Sequence, residues 1–410
     1  MTYIQIAKLK MKLLTPYKIA SLILSNRIIR SATFEGMADA KGFPTNEYYK
    51  LYENLSKQNI GALICGFSYV SPEGKAMQLG QIGVDSPDKI PSLKKLTDIV
   101  HNNEGKIFMQ IAHTGRQTLK SVIGQNVLSS SSKRSIYFNQ KPVSISIKQI
   151  ESIVDKFGNS ALYCKQAGFD GIQIHAAHGY LIHQFLTPAI NKRKDKYGID
   201  AKTKIGTTFL KEIIENIREK CGENFPVLIK VSGSDDLFPK FNKQQFINLI
   251  SFIDTQAIDA IEISYGTMDY ALNIFRGDLP TELILTKNPI YKTENKFKRF
   301  LIKTFVFSYM KSKLKPFSPS YNLDYALIAK SLTIKPIICV GGYRNKNEIE
   351  STLSKDIDFV SICRPFICEP DFKKKITSNP NYESKCTNCN KCAIMCDTEY
   401  STKCYMKYKF

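Results

Sequence analysis

The chain has 410 residues, of which 43% are hydrophobic and 23% charged, and these ordinary globular proportions exclude a disordered or fibrous chain. No run approaches the roughly 20 apolar residues of a membrane span, and the first residues lack the apolar stretch of a secretion signal, so we expect a cytoplasmic protein. The net charge of +21 is compatible with a polyanionic partner, a membrane surface, acidic substrates or a merely lysine-rich composition.

Eight short apolar runs recur along the chain, and each is followed by a stretch that is typical of a helix. They are rich in Ile and Val without polar alternation, as expected for parallel strands buried on both faces. The runs are Ile28-Ile29, Ala62–Cys65, Ile107–Ile111, Gly171–Ile174, Val227–Val231, Ala260–Ile263, Pro336–Val340 and Phe359–Ile362. The intervening helices include Ile147–Gln166, Thr203–Lys220 and Lys243–Thr255. Eight such alternations predict an α/β fold, a (β/α)8 TIM barrel. A doubly wound open sheet is the alternative, which the lack of an early Gly-x-Gly-x-x-Gly disfavours.

Two stretches exceed what a barrel needs. We expect the barrel to occupy residues 13–372, with a long insertion after the sixth strand at residues 264–325 and a short Cys-rich C-terminal extension at residues 373–410. The insertion is strongly basic, with nine Lys or Arg against one acid, Glu294, from residue 287 to residue 315.

Part of this insertion is patterned like a helix. Phe297, Phe300, Leu301 and Phe305 recur at helical spacing, whereas Val306 and Met310 fall on the charged side. We expect a lid over the active site. Peripheral membrane contact through residues 293–316 is the alternative.

Polar residues follow several strands at their carboxyl ends, where barrels of this type carry their active sites. Gly341-Gly342 and Arg364 end the last two strands and predict a phosphate site, because glycine lets backbone N–H groups approach and the guanidinium adds a charged fork. Gln110 suits the edge of a ring with carbonyl and N–H groups, and Lys230 would stabilise an anionic reduced ring. This combination predicts bound FMN.

The fourth run ends in a block with two histidines and a tyrosine. His175 and His178 stand at i and i+3, and two imidazoles can donate to one carbonyl oxygen and stabilise an enolate. Tyr180 follows as a proton donor to carbon. A metal site is a weaker interpretation, because no third ligand stands nearby.

Five of the eleven cysteines crowd the last 25 residues: Cys386, Cys389, Cys392, Cys396 and Cys404. In a chain without a secretion signal, close-set cysteines predict a metal or cluster site rather than disulfides. Cys386, Cys389, Cys392 and Cys396 have a ferredoxin-like spacing, so [4Fe–4S] and Zn both remain open.

The sequence resembles the old yellow enzyme family of FMN-dependent ene-reductases. The matching segments are 26–33, 110–116, 168–180, 184–186, 191–198, 340–342 and 364–367. The resemblance implies that NAD(P)H reduces FMN, which transfers hydride to the β-carbon of an α,β-unsaturated carbonyl or enoate. His175 and His178 would then bind the substrate oxygen while Tyr180 protonates the α-carbon. The residues implied to bind FMN are Ala32, Thr33, Phe67, Gln110, Lys230, Gly342, Cys363 and Arg364.

Some positions depart from the family pattern. Lys230 stands where many members have Arg, and Cys363 stands where Gly is common. The terminal cysteines are similar to the iron–sulfur segment of the 2,4-dienoyl-CoA reductase branch, which implies Cys386, Cys389, Cys392 and Cys404 as ligands. An iron–sulfur flavoenzyme of that type with a separate electron donor is therefore one alternative function.

A second alternative is an FMN barrel that acts on uridine in RNA, which the net charge of +21 would suit. The sequence contains no separate RNA-binding module, and the double-histidine block is typical of the ene-reductases. We therefore expect a small electrophilic alkene as substrate and no nucleic acid.

Overall fold

The computed structural model describes residues 11–408 and forms a closed barrel of eight parallel strands. The strands are β1 (Ile28–Thr33), β2 (Ala62–Tyr69), β3 (Ile107–Ala112), β4 (Gly171–Ala176), β5 (Val227–Ser232), β6 (Ala260–Ser264), β7 (Ile337–Val340) and β8 (Phe359–Ile362). Each strand pairs with the next, and β8 pairs with β1 to close the barrel. The predicted (β/α)8 fold is confirmed. Residues 1–10, on which the expectation about a secretion signal rests, lie outside the described residues.

One principal helix follows each strand. These are α1 (Asn46–Ser56), α2 (Ile90–His101), α3 (Ile147–Gln166), α4 (Thr208–Cys221), α5 (Lys243–Asp254), α6 (Leu323–Lys330), α7 (Lys346–Ser354) and α8 (Phe372–Ser378). Helices α3 and α5 begin where the sequence predicts, each with a capping box at its first turn. Helix α4 begins five residues later than predicted, because the Asp200 carboxylate accepts hydrogen bonds from the N–H groups of Lys202 and Thr203 and holds them in a turn.

The strands are apolar on their outer face and at the amino-terminal end of the barrel interior. The outward side chains pack under the helices, and a second cluster that includes Ile29, Ile64 and Phe108 fills the amino-terminal end of the interior. A hairpin of strands Tyr17–Ile19 and Leu22–Leu24 covers that end with Ile19 and Leu24. Chemistry is therefore confined to the opposite, carboxyl-terminal mouth. Between residues 11 and 408, every helix is too short or too polar to cross a bilayer.

The insertion and the C-terminal extension both cover this mouth. The insertion contains helices Ala271–Phe275, Thr281–Lys287, Lys296–Leu301 and Ser308–Lys313, with a π-helical turn at Ile302–Phe307 between the last two. The extension contains helix Lys391–Met395. Their apolar side chains form a cluster of their own: Leu272, Leu283, Ile284, Leu285, Phe307, Ile394, Met395 and Tyr405. The two segments thus pack against each other rather than separately.

Candidate active site

Two adjoining cavities of about 120 Å³ and 100 Å³ lie at the mouth of the barrel and share Lys230, His178 and Arg364 as wall residues. Together they gather all eleven residues that the sequence predicts for catalysis and cofactor binding. These are Ala32, Thr33, Phe67, Gln110, His175, His178, Tyr180, Lys230, Gly342, Cys363 and Arg364. Phe67, expected just after the second strand, lies within β2, because that strand continues past a register shift to Tyr69.

The two histidines are neutral and adjacent. Their ring centroids lie 4.9 Å apart, and burial lowers the pKa of both imidazoles well below 6.5, with Lys230 adding repulsion. Nδ1 of His175 accepts from the Ala177 N–H at 3.3 Å, so the neutral ring carries its proton on Nε2. Nε2 of His178 lies 2.8 Å from the Ser264 hydroxyl; when that hydroxyl donates, the His178 proton is on Nδ1. Each imidazole can therefore donate one hydrogen bond.

The loop after β4 is folded to present these rings. His178 has a left-handed backbone at φ +60° and Gly179 follows at φ +75°, where a Cβ would come within 3.0 Å of Thr267. Nδ1 of His183 accepts from the Gly179 N–H at 2.9 Å, and Nε2 of Gln184 donates to the Gly179 carbonyl at 2.7 Å. His183 and Gln184 thus brace the loop.

Tyr180 stands at the start of helix Leu181–Leu186, buried against the first histidine. Its ring centroid lies 4.7 Å from that of His175 and 5.2 Å from that of Phe67. Burial raises the pKa of the phenol, with a smaller contribution from the Asp397 carboxylate. The phenol therefore remains protonated at neutral pH, as a proton donor requires.

Buried polar side chains form a chain of hydrogen bonds along the floor of the 120 Å³ cavity. Gln110 Nε2 donates to Gln173 Oε1 at 2.7 Å, and Gln173 Nε2 donates to Glu262 Oε2 at 2.7 Å. The other Glu262 oxygen accepts from Lys230 Nζ at 3.2 Å and from the Ser31 hydroxyl at 3.0 Å. The sequence reasoning missed Glu262 and Gln173. A carboxylate within the apolar run of β6 was the available signal, because a buried charge requires a partner.

The smaller cavity has the donor set of a phosphate site. Gly342, Arg344 and Arg364 line it, and the fully buried Ser361 hydroxyl beside them has no hydrogen-bond partner among residues 11–408. Arg364 also donates to the carbonyl of Arg276 at 2.7 Å, which fixes its position. The sequence reasoning missed Arg344 and Ser361.

The paired glycines of this site have a structural reason as well. Gly341 and Gly342 have φ +119° and +89°, and a Cβ on either would collide with residues 318–321 of the insertion. Phosphate donors at one end and Gln110 beside a cation at the other fit FMN, which Ala32, Thr33, Phe67 and Cys363 would enclose.

A third cavity of about 340 Å³ extends outward from Tyr180 and is mainly apolar. Its walls come from the barrel loops, from the insertion through Met310 and Leu314, and from the extension through Ile394. Asp397 ties these parts together, because its carboxylate accepts from Gln78 at 2.6 Å, Tyr137 at 2.7 Å and Asn288 at 2.8 Å. The cavity thus exists only because the insertion and the extension meet there.

The terminal cysteines divide between two places. Cys386, Cys389, Cys392 and Cys404 line one small cavity of about 20 Å³ beside Arg364, together with Cys368, which the sequence reasoning did not include. Cys396 instead lines the 120 Å³ cavity with Tyr180, and Cys392 borders both of these cavities. No three His, Cys, Asp or Glu side chains within residues 11–408 are placed to bind one metal ion. The fourfold cysteine site therefore stays a prediction, and no chemistry is derived from it.

Comparison with known proteins places this geometry in context. The profile of the NADH:flavin oxidoreductase / NADH oxidase family matches residues 12–282. An NADH oxidase of Thermoanaerobacter brockii is 26% identical over 91% of the chain, and the chain spans only 52% of its length. An NADPH dehydrogenase of Listeria welshimeri is 30% identical over 62% of the chain and 73% of its own length.

Solved structures share the fold. A 2-naphthoyl-CoA reductase in complex with 2-naphthoyl-CoA superposes with a TM-score of 0.78, at 22% identity, over 97% of this chain and 57% of the other. An old yellow enzyme homologue from Zymomonas mobilis gives 0.68 at 20% identity over 92% of this chain and 96% of the other. The first alignment covers nearly the whole chain, so the fold likeness extends beyond the barrel.

Proposed function

The chain belongs to the NADH:flavin oxidoreductase / NADH oxidase family, of the old yellow enzyme type, and from this premise we propose that it is an NAD(P)H-dependent FMN oxidoreductase that reduces the C=C bond of α,β-unsaturated carbonyl compounds. When bound, FMN supplies the hydride that reaches the β-carbon. The observation that carries the proposal is the arrangement of two neutral imidazoles and one buried phenol at a single cavity, where His175 contacts both His178 and Tyr180.

The histidines act on the carbonyl group. The protons on Nε2 of His175 and, with the Ser264 hydroxyl donating, on Nδ1 of His178 provide two donors for one oxygen. Negative charge develops on that oxygen as the β-carbon gains hydride, so donors fixed in a water-poor site stabilise the transition state more than the substrate. Because the pKa of both imidazoles is low, both rings stay neutral and add no further positive charge beside Lys230.

Tyr180 completes the addition. The proton moves from its Oη to the α-carbon, the enolate collapses to the saturated carbonyl, and solvent then returns a proton to the phenolate. The raised pKa of this phenol keeps the proton available and makes it a poor acid towards water but sufficient for an enolate carbon. Hydride at one carbon and a proton at the other balance the reduction.

The outer cavity points to an apolar substrate. Its walls include Met268, Leu272, Tyr291 and Ile394. Both carboxylates that line it are occupied, Asp269 by the Arg116 guanidinium at 2.6 Å and Asp397 by three hydrogen bonds. A bulky apolar group can therefore fill this space while the unsaturated carbonyl lies at the histidines.

Tyr180→Phe tests the proposal in two half-reactions. We expect alkene reduction to slow by about 10²- to 10⁴-fold, the usual contribution of a positioned proton donor, while reduction of the bound flavin by NAD(P)H changes by less than about threefold. Tyr291→Phe is the matched control, because it removes a phenol from the same outer cavity. Equal losses in both half-reactions would assign Tyr180 a structural role, and purified protein that releases no FMN on acid treatment would refute the proposed function.

A further inference from the structure

The segment Lys296–Lys313, named here the lid helix, presents aromatic side chains to solvent. Phe297 is 70% exposed, Phe300 60%, Phe305 67% and Tyr309 54%. Isolated exposed apolar residues are ordinary on a protein surface, but four aromatic rings within 13 residues of one helical segment form a patch that normally has a partner.

Cations surround these rings. Lys296, Lys298 and Lys311 are exposed and pair with no carboxylate in the part of the chain that the structure describes. Arg299 and Lys303 share Glu282, which is itself mostly exposed. Aromatic side chains flanked by uncompensated lysines on one helix are the composition of an element that lies in the interface of an anionic bilayer.

The opposite side of the same segment belongs to the substrate cavity. Phe307 is buried in the cluster beneath, whereas Val306 and Met310 line the outer cavity. The sequence pattern placed Val306 and Met310 on the charged side and so missed this role. The π-helical turn at Ile302–Phe307 widens the helix by one residue per turn there, which shifts the face that follows it.

The opening of the cavity therefore borders the exposed face. Val306 and Tyr309 line the cavity and are still 37% and 54% exposed. On the same end of the barrel, the loop after β5 carries Phe238 at 92% exposure, and Asp236 of that loop lies 3.9 Å from Lys315 at the end of the insertion. The exposed Phe238 thus belongs to a loop that contacts the chain two residues beyond the lid helix, at Lys315.

We propose that the lid helix docks on an anionic lipid bilayer, with Phe297, Phe300 and Phe305 among the acyl chains, and that the outer cavity takes its apolar unsaturated substrate from that bilayer. The choice of substrate class rests on the proposed function, but the docking does not. A second copy of the chain is a poorer occupant, because a two-fold contact would bring two basic segments of the same charge together.

Vesicle sedimentation of the full-length holoprotein tests the docking. We expect it to sediment with vesicles of phosphatidylcholine and phosphatidylglycerol, less with phosphatidylcholine alone, and less at high salt. The triple variant Phe297→Ser, Phe300→Ser, Phe305→Ser should lose more than about tenfold in partitioning. Ile334→Ser is the matched control, because Ile334 is 96% exposed just before β7, at the opposite end of the barrel. Equal loss in the control would overturn the assignment, as would absence of binding by the wild type.

Light scattering tests the alternative, in which a second copy of the chain covers the exposed phenylalanines of the lid helix. A wild-type dimer that becomes a monomer in the triple phenylalanine variant would overturn the proposal in favour of a second copy. A monomer in both proteins supports the bilayer. Replacing the three unpaired lysines, Lys296→Gln, Lys298→Gln and Lys311→Gln, should abolish the preference for anionic vesicles, and an unchanged preference would overturn the role of charge.

Turnover of two substrates tests delivery from the bilayer. With cyclohex-2-enone in water, the triple phenylalanine variant should match the wild type, since none of the three rings lines the cavity. With a long-chain enone held in anionic vesicles, it should lose most of its activity. Equal loss with both substrates would overturn the delivery route. No turnover of either substrate by the wild type, with vesicle binding intact, would refute the proposed function but leave the docking standing.

Discussion

Glu262→Gln is the most informative single change, because it removes one charge from a fully buried pair with little change of shape. Glu262 is 0% exposed and Lys230 is 4% exposed, and their charged atoms lie 3.2 Å apart. After the change, Lys230 keeps the Ser31 hydroxyl at 3.1 Å and one amide oxygen, but no counter-charge. Breaking a buried pair from one side costs about 3–5 kcal/mol of the free energy of unfolding.

The hydrogen bonds of the amide chain add a second effect. In the wild type, the carboxylate can only accept, so Gln173 must donate to it and must accept from Gln110. This order leaves the Gln110 carbonyl oxygen for the cavity. An amide at position 262 can donate a hydrogen bond instead. The side-chain amide of Gln173, and then that of Gln110, can therefore flip and exchange donor for acceptor. We therefore expect Glu262→Gln to weaken FMN binding as well as to destabilise the fold.

Urea unfolding followed by circular dichroism measures the first effect, and titration of the apoprotein with FMN measures the second. Glu215→Gln is the control, because Glu215 pairs with Lys211 on the surface with 56% exposure, where such pairs contribute about 0.2–1 kcal/mol. The double variant Glu262→Gln, Lys230→Met removes both charges and should lose less stability than the sum of the single changes. Additive losses, or a Glu262→Gln loss below about 1 kcal/mol, would refute the reasoning.

Two further predictions follow from burial and from the placement of the cysteines. Burial lowers the pKa of His113 from 6.5 to about 4, so on acidification the unfolded chain takes up a proton there that the folded chain does not. Between about pH 7 and about pH 5, urea unfolding should show the wild type losing about 2 kcal/mol more stability than His113→Gln, and an equal loss in both proteins would contradict it. If the extension binds iron–sulfur or zinc, metal analysis should show that Cys404→Ser loses most of the metal and that Cys396→Ser keeps it. The reason is that Cys404 shares a cavity with Cys386, whereas Cys396 does not. The reverse result would support the ferredoxin-like set of ligands.

Much of the barrel could be predicted from the sequence, because its signals are local. A strand buried on both faces must be an apolar run, and such runs at Val227–Val231 and Phe359–Ile362 became strands with at most one residue of change. The candidate site followed from the same logic. Once the strands are parallel, their carboxyl ends meet, so Gln110, Lys230 and Arg364 could be placed together although far apart in the chain.

Contacts between distant segments left no comparable signal. The lid helix shows its phenylalanines outward because its inner side packs through Phe307 and Met310 into the cluster shared with the extension, and the sequence pattern cannot show which side has a partner. Likewise, Asp397 has no local motif, and it meets Gln78, Tyr137 and Asn288 only in the folded chain.

Local composition thus determined the eight strands, the paired glycines of the smaller cavity and the histidine–tyrosine block, since each depends on residues within a few positions of one another. Tertiary structure alone decided that Glu262 neutralises Lys230, that Cys368 joins terminal cysteines at one small cavity, and that the insertion and the extension close over one apolar cavity. The physical reason is that a buried charge, a shared cavity or a covered face is defined by its partner, and these partners lie up to hundreds of residues away along the chain.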